Sequence, residues 1–175
     1  MLRVTEALSL VGLIDTTFLT EHGRDRGTAV HETIALDCRG DLDEDSVDPE
    51  VRPYLESWRR YQRESGDAFV VLESECEVTH GGFGYVGHID LIVKCLAAPR
   101  LILDLKCGAP ARWHRLQLAG YALADADMTR GPTAARGCLY LDGEGKAAKF
   151  VKYGDRRDFD LFKAVITLAH FLKGD

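Results

Sequence analysis

The chain has 175 residues, of which 46% are hydrophobic and 29% are charged, which is enough for one globular domain with a sizeable core. Its net charge of −6 argues against a protein that holds nucleic acid through positive charge alone. No apolar run approaches the roughly 20 residues that a membrane-spanning helix needs, so we expect no membrane partner.

The spacing of the apolar residues predicts a mixture of helices and strands along the whole chain. We predict helices at 4–13, 26–38, 49–65, 111–125 and 156–172. We predict strands at 68–78, 85–93, 101–106, 137–141 and 147–153. Repeats, low-complexity tracts and Ser/Pro-rich linkers are absent. Residues 1–175 are therefore expected to form a single domain of the α/β class, a mixed central β-sheet flanked by helices.

The predicted strand 101–106 carries two charged side chains inside an apolar run. Side chains alternate between the faces of a strand, so Asp104 and Lys106 share one face and the leucines beside Asp104 share the other. The preceding strand carries Asp90, and a linker containing Pro99 suits a hairpin that brings Asp90 near Asp104. A surface ion pair is the simpler alternative. An ionised carboxylate inside a buried strand is costly unless it is paired or metal-bound, and this favours a functional site.

The predicted helix 111–125 adds two polar residues to this pattern. Gln117 and Tyr121 are four residues apart and therefore lie on the same helix face. An ordinary solvated helix face is the alternative interpretation. In chain order the motifs are G-H-I-D at 87–90, D-L-K-C-G at 104–108 and Q-L-A-G-Y at 117–121.

With these motifs in this order, the chain resembles the PD-(D/E)xK nuclease superfamily, in particular its RecB-type and phage exonuclease-like branch. In that branch a GxxD strand precedes a (D/E)xK strand and a QxxxY helix. The run R-G-T-A-V-H at 26–31 is similar to the branch's RGTxxH helix start. Glu75 is the middle of three glutamates that alternate along strand 68–78, and it matches the branch's acidic residue on the first core strand. Cys107 stands where the family usually has threonine.

The resemblance implies a restriction-endonuclease-like core and a site for one or two Mg²⁺ or Mn²⁺ ions. The implied metal ligands are the side chains of His31, Asp90 and Asp104 and the backbone carbonyl of Leu105. The implied catalytic residues are Asp90, Asp104, Lys106, Gln117, Tyr121 and Glu75. Arg26 and Arg115 are further candidates for contacts with DNA phosphates. An ordinary helix histidine is the alternative for His31, and a solvated strand face is the alternative for Glu75.

The function that follows from the resemblance is a divalent-metal-dependent deoxyribonuclease, with a phage-type exonuclease of recombination or replication favoured. Two alternatives stay open: a structure-specific endonuclease, and a non-catalytic DNA-binding subunit with the same fold. The expected partner is DNA. A single-strand-annealing or single-strand-binding protein and a second copy of the chain are further candidates.

Cysteine usage bears on the cofactor and on the compartment. The chain contains five cysteines, Cys38, Cys76, Cys95, Cys107 and Cys138. Some relatives bind an iron–sulfur cluster through closely spaced late cysteines, but these five are scattered, so we expect no cluster. An odd, unpatterned set favours reduced thiols over a disulfide framework. We therefore expect the cytoplasm, or the host cytoplasm if the protein is encoded by a phage.

Overall fold

A computed structural model describes residues 1–14, 20–66 and 68–174. The helices are α1 (Val4–Leu10), α2 (Glu21–Arg39), α3 (Arg52–Glu64), α4 (His114–Thr129) and α5 (Arg157–Lys173), with a 3₁₀ turn at Glu44–Ser46. The strands are β1 (Leu2–Arg3), β2 (Val70–His80), β3 (Tyr85–Cys95), β4 (Ala98–Lys106), β5 (Ala135–Tyr140) and β6 (Lys149–Lys152). The predicted α/β class, a mixed sheet flanked by helices, is confirmed.

Local chemistry explains where α2 begins and ends. The Thr20 hydroxyl accepts the Gly23 amide at 3.1 Å, so the helix starts five residues before the predicted position 26. It ends at Gly40, whose φ of 76° lies in the left-handed region that glycine tolerates best. Two further differences from prediction are the early end of α1 at Leu10 and the short strand β1. None of the helices in the described ranges has the length and apolar character needed to cross a bilayer.

The six strands form one sheet in which β3 has three partners. The order is β1-β3-β4-β5-β6, and β2 also pairs with β3. The β1–β3 and β4–β5 pairs are parallel and the others antiparallel. Helix α4 makes the crossover between the parallel strands β4 and β5, as such pairs require.

A gap opens on one side of β3. Because β2 pairs with β3 from Tyr85 to Lys94, both β1 and β4 must lie along the opposite side. Strand β1 pairs there with Tyr85 and Val86, and the ladder with β4 reaches only to Leu91. Residues 87–90, which are the G-H-I-D motif, therefore lie between the two ladders.

Two apolar cores cover the two faces of the sheet. The first core packs β-strand residues against α1, α4 and α5 and includes Leu8, Ile102, Leu118 and Phe162. The second core packs the other face against α2 and α3 and includes Ile34, Trp58, Leu101, Leu103 and Leu105. The predicted alternation along β4 is confirmed, because its odd-numbered leucines all belong to the second core and Ile102 to the first.

The alternation breaks where β2 and β3 pass Asp90. Ile89 and Ile92 both pack in the first core, whereas Leu91 packs in the second. On β2, Glu75 has a φ of 54°, in the left-handed region that non-glycine residues rarely adopt. This left-handed residue interrupts the regular geometry of β2, and the common face of the three β2 glutamates stays a prediction.

Candidate functional site

Asp90 and Asp104 meet where β3 and β4 separate. The ladder ends at the pair Leu91 and Leu103, so the two aspartates occupy the next position on each strand. Both are buried, with 7% and 2% of their surface exposed. The Leu105 amide donates to Asp90 Oδ2 at 2.7 Å. The Asp90 side chain therefore accepts a hydrogen bond that a backbone carbonyl would accept if the ladder continued.

Lys106 bridges Asp104 to helix α4. Its Nζ lies 2.6 Å from Asp104 Oδ2 and donates to Gln117 Oε1 at 3.0 Å. Gln117 Nε2 in turn donates to the Tyr121 hydroxyl at 2.8 Å. The two α4 residues therefore hold the lysine as the sequence predicted, because they lie one turn apart on the same helix face.

His31 reaches the same cluster from the other side of the sheet. It lies on α2, which packs over the second core, and its Nδ1 is 3.3 Å from Asp90 Oδ1. Side chains from both helical layers thus converge at the end of the β3–β4 ladder. Since the side chains of His31 and Lys106 keep 26% and 16% of their surface exposed, the cluster is open to solvent along these two residues.

The charges of the cluster are tightly linked. Burial raises the pKa of Asp104 above its usual value, and the Asp90 charge adds to this rise although Lys106 opposes it. Burial also acts on Asp90, but there the charges of His31 and Lys106 win and hold its pKa below the usual range. Burial lowers the pKa of His31, yet the carboxylates of Asp90 and Asp104 outweigh it and raise the pKa to about 9. Two cations therefore balance two buried carboxylates.

A glycine in the G-H-I-D motif is required by packing. A Cβ atom at Gly87 would lie 2.6 Å from Cδ1 of the Tyr121 ring, closer than any real contact. Any side chain at this position would displace Tyr121, and with it the hydrogen bond to Gln117. Packing against Tyr121 on α4 therefore requires a glycine at the first position of the G-H-I-D motif.

The backbone of β4 also offers an oxygen to the gap. The Lys106 carbonyl accepts the Leu141 amide at 2.8 Å and so points toward β5. Backbone groups of successive strand residues point to opposite edges, so the N–H and C=O of Leu105 face β3. The N–H bond to Asp90 agrees with this orientation. The Leu105 carbonyl therefore opens into the same gap as the two carboxylates.

The donor set fits a hard divalent cation in chemical type. Two carboxylates and a backbone carbonyl are oxygen ligands that suit Mg²⁺ and Mn²⁺, and an imidazole suits Mn²⁺. Among the described residues, however, no three His, Cys, Asp or Glu side chains are grouped closely enough to hold a metal as they stand. Instead, His31 and Lys106 pair with the carboxylates. His31 would have to lose its proton and turn toward the ion to act as a ligand.

Glu75 pairs with a residue outside the cluster of His31, Asp90, Asp104 and Lys106. Its Oε2 lies 2.7 Å from Nε2 of His88, the second residue of the G-H-I-D motif. The contacts of the described residues therefore assign Glu75 to a carboxylate–imidazole pair beside the site, and its catalytic role stays a prediction.

The two predicted DNA contacts have different surroundings. The Arg26 guanidinium lies 5.6 Å from the Tyr54 ring centre, and its buried Nε has no hydrogen-bond partner among the described residues. The contact of Arg26 with a phosphate stays a prediction. Arg115 instead donates to Asp158 at 2.6 Å and to Asp155 at 3.0 Å, which ties α4 to the start of α5. These bonds occupy Arg115 donors, and its contact with DNA stays a prediction.

Two residues near the lysine were missed by the sequence analysis. The Trp113 ring centre lies 5.4 Å from Lys106 Nζ, within range of a cation–π interaction. The Cys138 thiol donates to Asp104 Oδ2 at 3.6 Å from the neighbouring strand β5. An aromatic residue one turn before Gln117 was a usable signal for Trp113. For Cys138 the signal is the β4–β5 register, which the sequence does not show.

Comparisons with known proteins add little to this geometry. No protein-family model and no curated protein matches the sequence. Among solved structures, the chain is similar to the archaeal protein SSO0001, with 14% sequence identity and a TM-score of 0.45. The alignment covers 98% of this chain and 75% of SSO0001.

Proposed function

We propose that the protein is a metal-dependent DNA nuclease that hydrolyses phosphodiester bonds, and that it acts as an exonuclease. The observation that carries the proposal is the meeting of Asp90 and Asp104 at the end of the β3–β4 ladder, with Lys106 bound to one and His31 to the other. Such a cluster is expensive to bury as a purely structural feature, because each charge has to be desolvated. Its position at an opening of the sheet supports a role in chemistry.

The chain's own residues would divide the work as follows. Asp90, Asp104, His31 and the Leu105 carbonyl would hold Mg²⁺ or Mn²⁺. When bound, the ion supplies Lewis-acid polarisation of the phosphoryl group and lowers the pKa of a water molecule. Lys106 is held between Asp104 and Gln117. Burial lowers its pKa, but the two carboxylates outweigh burial and raise it, so Lys106 stays charged and donates hydrogen bonds to the attacking water or the phosphoryl oxygens.

The arrangement of Lys106 supports catalysis over a purely DNA-binding role. A non-catalytic subunit needs neither the lysine nor its neighbours. Here Lys106 is oriented by Gln117, which is itself fixed by Tyr121. Tyr121 orients Gln117, and Gln117 orients Lys106. Such a chain of hydrogen bonds is expected for an ammonium group that must be placed accurately in the transition state.

The direct test is cleavage of linear and closed circular DNA with Mg²⁺, with Mn²⁺ and with chelator. We expect metal-dependent degradation of linear DNA only. Asp104→Asn and Lys106→Ala should each lose activity while keeping the circular dichroism of the wild type. Asp160→Asn and Lys163→Ala alter an exposed ion pair on α5 and are the matched controls.

Three results would contradict the proposal or part of it. Cleavage of circular DNA would replace the exonuclease by an endonuclease. Full activity in chelator would refute a metal mechanism. More than about a tenth of wild-type rate in either site variant, a loss below roughly 1.4 kcal/mol, would refute the site.

A further inference from the structure

A cavity of about 200 Å³ adjoins the cluster along the gap in the sheet. Its floor is the edge of β3, one wall is the start of the chain where β1 leads into α1, and the opposite wall is α4. The lining residues are Arg3, Val4, Thr5, Glu77, Val86, Gly87, His88 and Tyr121. It is smaller than the roughly 300–1,000 Å³ of pockets for drug-sized ligands, so it suits a single nucleoside and excludes a duplex.

The cavity and the catalytic cluster share two elements. Tyr121 lines the cavity and also bonds Gln117, which holds Lys106. Gly87 lines it and lies three residues before Asp90, about 10 Å along an extended strand. A DNA strand whose phosphate lies at the aspartates would thus extend its neighbouring nucleotide into the cavity.

The lining offers the groups that a nucleotide needs. The Val86 side chain, with the part of the otherwise buried Tyr121 ring that lines the cavity, gives apolar surface against which a base can pack. The hydroxyl of Thr5 and the carboxylate of Glu77 can bond the polar edge of a base. Arg3 forms no ion pair with another described residue, so its guanidinium is available to a phosphate.

We infer that this cavity holds the terminal nucleotide of the strand that is cleaved at Asp90 and Asp104. The inference rests on the proposed nuclease function and deepens it, since it names a strand end as the substrate. The β1–α1 segment closes the path along the β3 edge, and this closure is what limits the site to one terminal nucleotide.

The experiment compares oligonucleotides whose terminal nucleotide is either normal or abasic. We expect wild type to lose about tenfold in kcat/KM on the abasic end, as when one stacked base is lost. Thr5→Trp fills the cavity and should show a similar loss on normal ends but little further loss on abasic ends. Ser9→Trp, at an exposed position of α1 outside the cavity, is the matched control and should behave as wild type.

A binding measurement separates this inference from the proposed function. Asp104→Asn protein is mixed with DNA carrying 2-aminopurine at the terminal or at an inner position. The 2-aminopurine fluorescence should fall on binding only for the terminal probe. In the double variant Asp104→Asn/Thr5→Trp this fall in fluorescence should be absent. A wild type that cleaves both ends equally well, or bound DNA with an unchanged terminal probe, overturns the cavity assignment and leaves the nuclease intact. Quenching of the terminal probe by a wild-type protein that cleaves no DNA would overturn the nuclease function and keep the cavity as a binding site for a strand end.

Discussion

The side chain of Asp90 completes the β3–β4 ladder through the amide of Leu105, with 2.7 Å between Oδ2 and N. The same residue is therefore a structural acceptor and a candidate metal ligand. Where β3 and β4 separate, the Leu105 amide is buried and needs a partner. Asp90 supplies it without closing the gap, so the Leu105 carbonyl on the same edge of the strand stays available.

This dual role predicts different effects for two substitutions of Asp90. Asp90→Asn keeps an oxygen acceptor for Leu105, whereas Asp90→Ala leaves the amide unsatisfied. We expect Asp90→Ala to be less stable than Asp90→Asn by about 1–3 kcal/mol in urea unfolding. Hydrogen exchange of the Leu105 amide should be fast in Asp90→Ala and slow in Asp90→Asn and wild type. Equal exchange in the two variants would show that Asp90 does not hold this amide. Both variants should lack nuclease activity.

The sequence predicted the part of the site that depends on regular periodicity. The alternation along β4 correctly placed Asp104 and Lys106 together, and the helical spacing placed Gln117 and Tyr121 on one face. His31, which the resemblance implies is a metal ligand, lies 3.3 Å from Asp90, and its binding of a metal stays a prediction. Asp104 and Lys106 lie in one strand, and Gln117 and Tyr121 lie in one helix, so spacing is sufficient to relate the members of each pair. His31 and Asp90 lie on different elements, and only the resemblance related them.

The remaining features depend on backbone irregularity or on distant partners. Nothing in the sequence marks Glu75 as left-handed, because glutamate rarely adopts that conformation. Arg115 is engaged by Asp158, which lies 43 residues away on α5. Such a pair depends on how α4 and α5 pack, which periodicity within either helix does not determine. The gap in the sheet likewise depends on β1, which is too short for a periodic signal.

The contact between Trp113 and Lys106 predicts a role for the aromatic ring in placing the ammonium group. Trp113→Leu removes the ring and keeps an apolar side chain, and it should lower kcat by about two- to thirtyfold, the range for loss of a cation–π interaction of about 0.5–2 kcal/mol. Trp113→Phe keeps a ring and should retain most of kcat. KM should change little in both variants, because DNA contacts are intact. Equal losses in the two variants would indicate a packing role only.

His114 predicts an acid-dependent loss of stability. Its Nδ1 accepts the Ala111 amide at 3.2 Å and lies 2.8 Å from the Tyr140 hydroxyl. Burial, aided by the charge of Lys106, lowers the pKa of His114 to about 3. The unfolded chain titrates near the usual value of about 6.5, so it binds the extra proton between about pH 6.5 and pH 3. Stability should therefore fall as pH decreases through that window, by at most about 1.4 kcal/mol per pH unit from this residue.

The test of this prediction is His114→Asn, whose Oδ1 can replace Nδ1 as the acceptor but does not titrate. Urea unfolding of both proteins is measured from pH 7.5 to pH 4.5, values that bracket the upper part of the window. The stability difference between wild type and variant should shrink as pH falls, because only wild type loses the histidine contribution. A difference that is constant with pH would contradict the burial of a neutral imidazole.

His31 predicts how the site distinguishes between metals. Imidazole suits Mn²⁺ better than Mg²⁺, so His31→Ala should weaken Mn²⁺ binding by at least about tenfold and Mg²⁺ binding by less. The carboxylates raise the pKa of His31 to about 9, so metal binding has to displace a proton from it, and the affinities of wild type and variant are measured by titration calorimetry at one common pH. His22→Ala, which replaces an exposed histidine on the same helix, is the control.

The loss in His31→Ala should be partial, because the two carboxylates and the Leu105 carbonyl remain. A crystal of the variant soaked in Mn²⁺ should still show an ion between Asp90 and Asp104. Its cleavage rate should approach that of wild type as Mn²⁺ is raised, since excess metal compensates for weaker binding. Unchanged Mn²⁺ affinity in the variant would instead leave His31 as the counter-ion of Asp90, which is the role that the metal-free geometry already gives it.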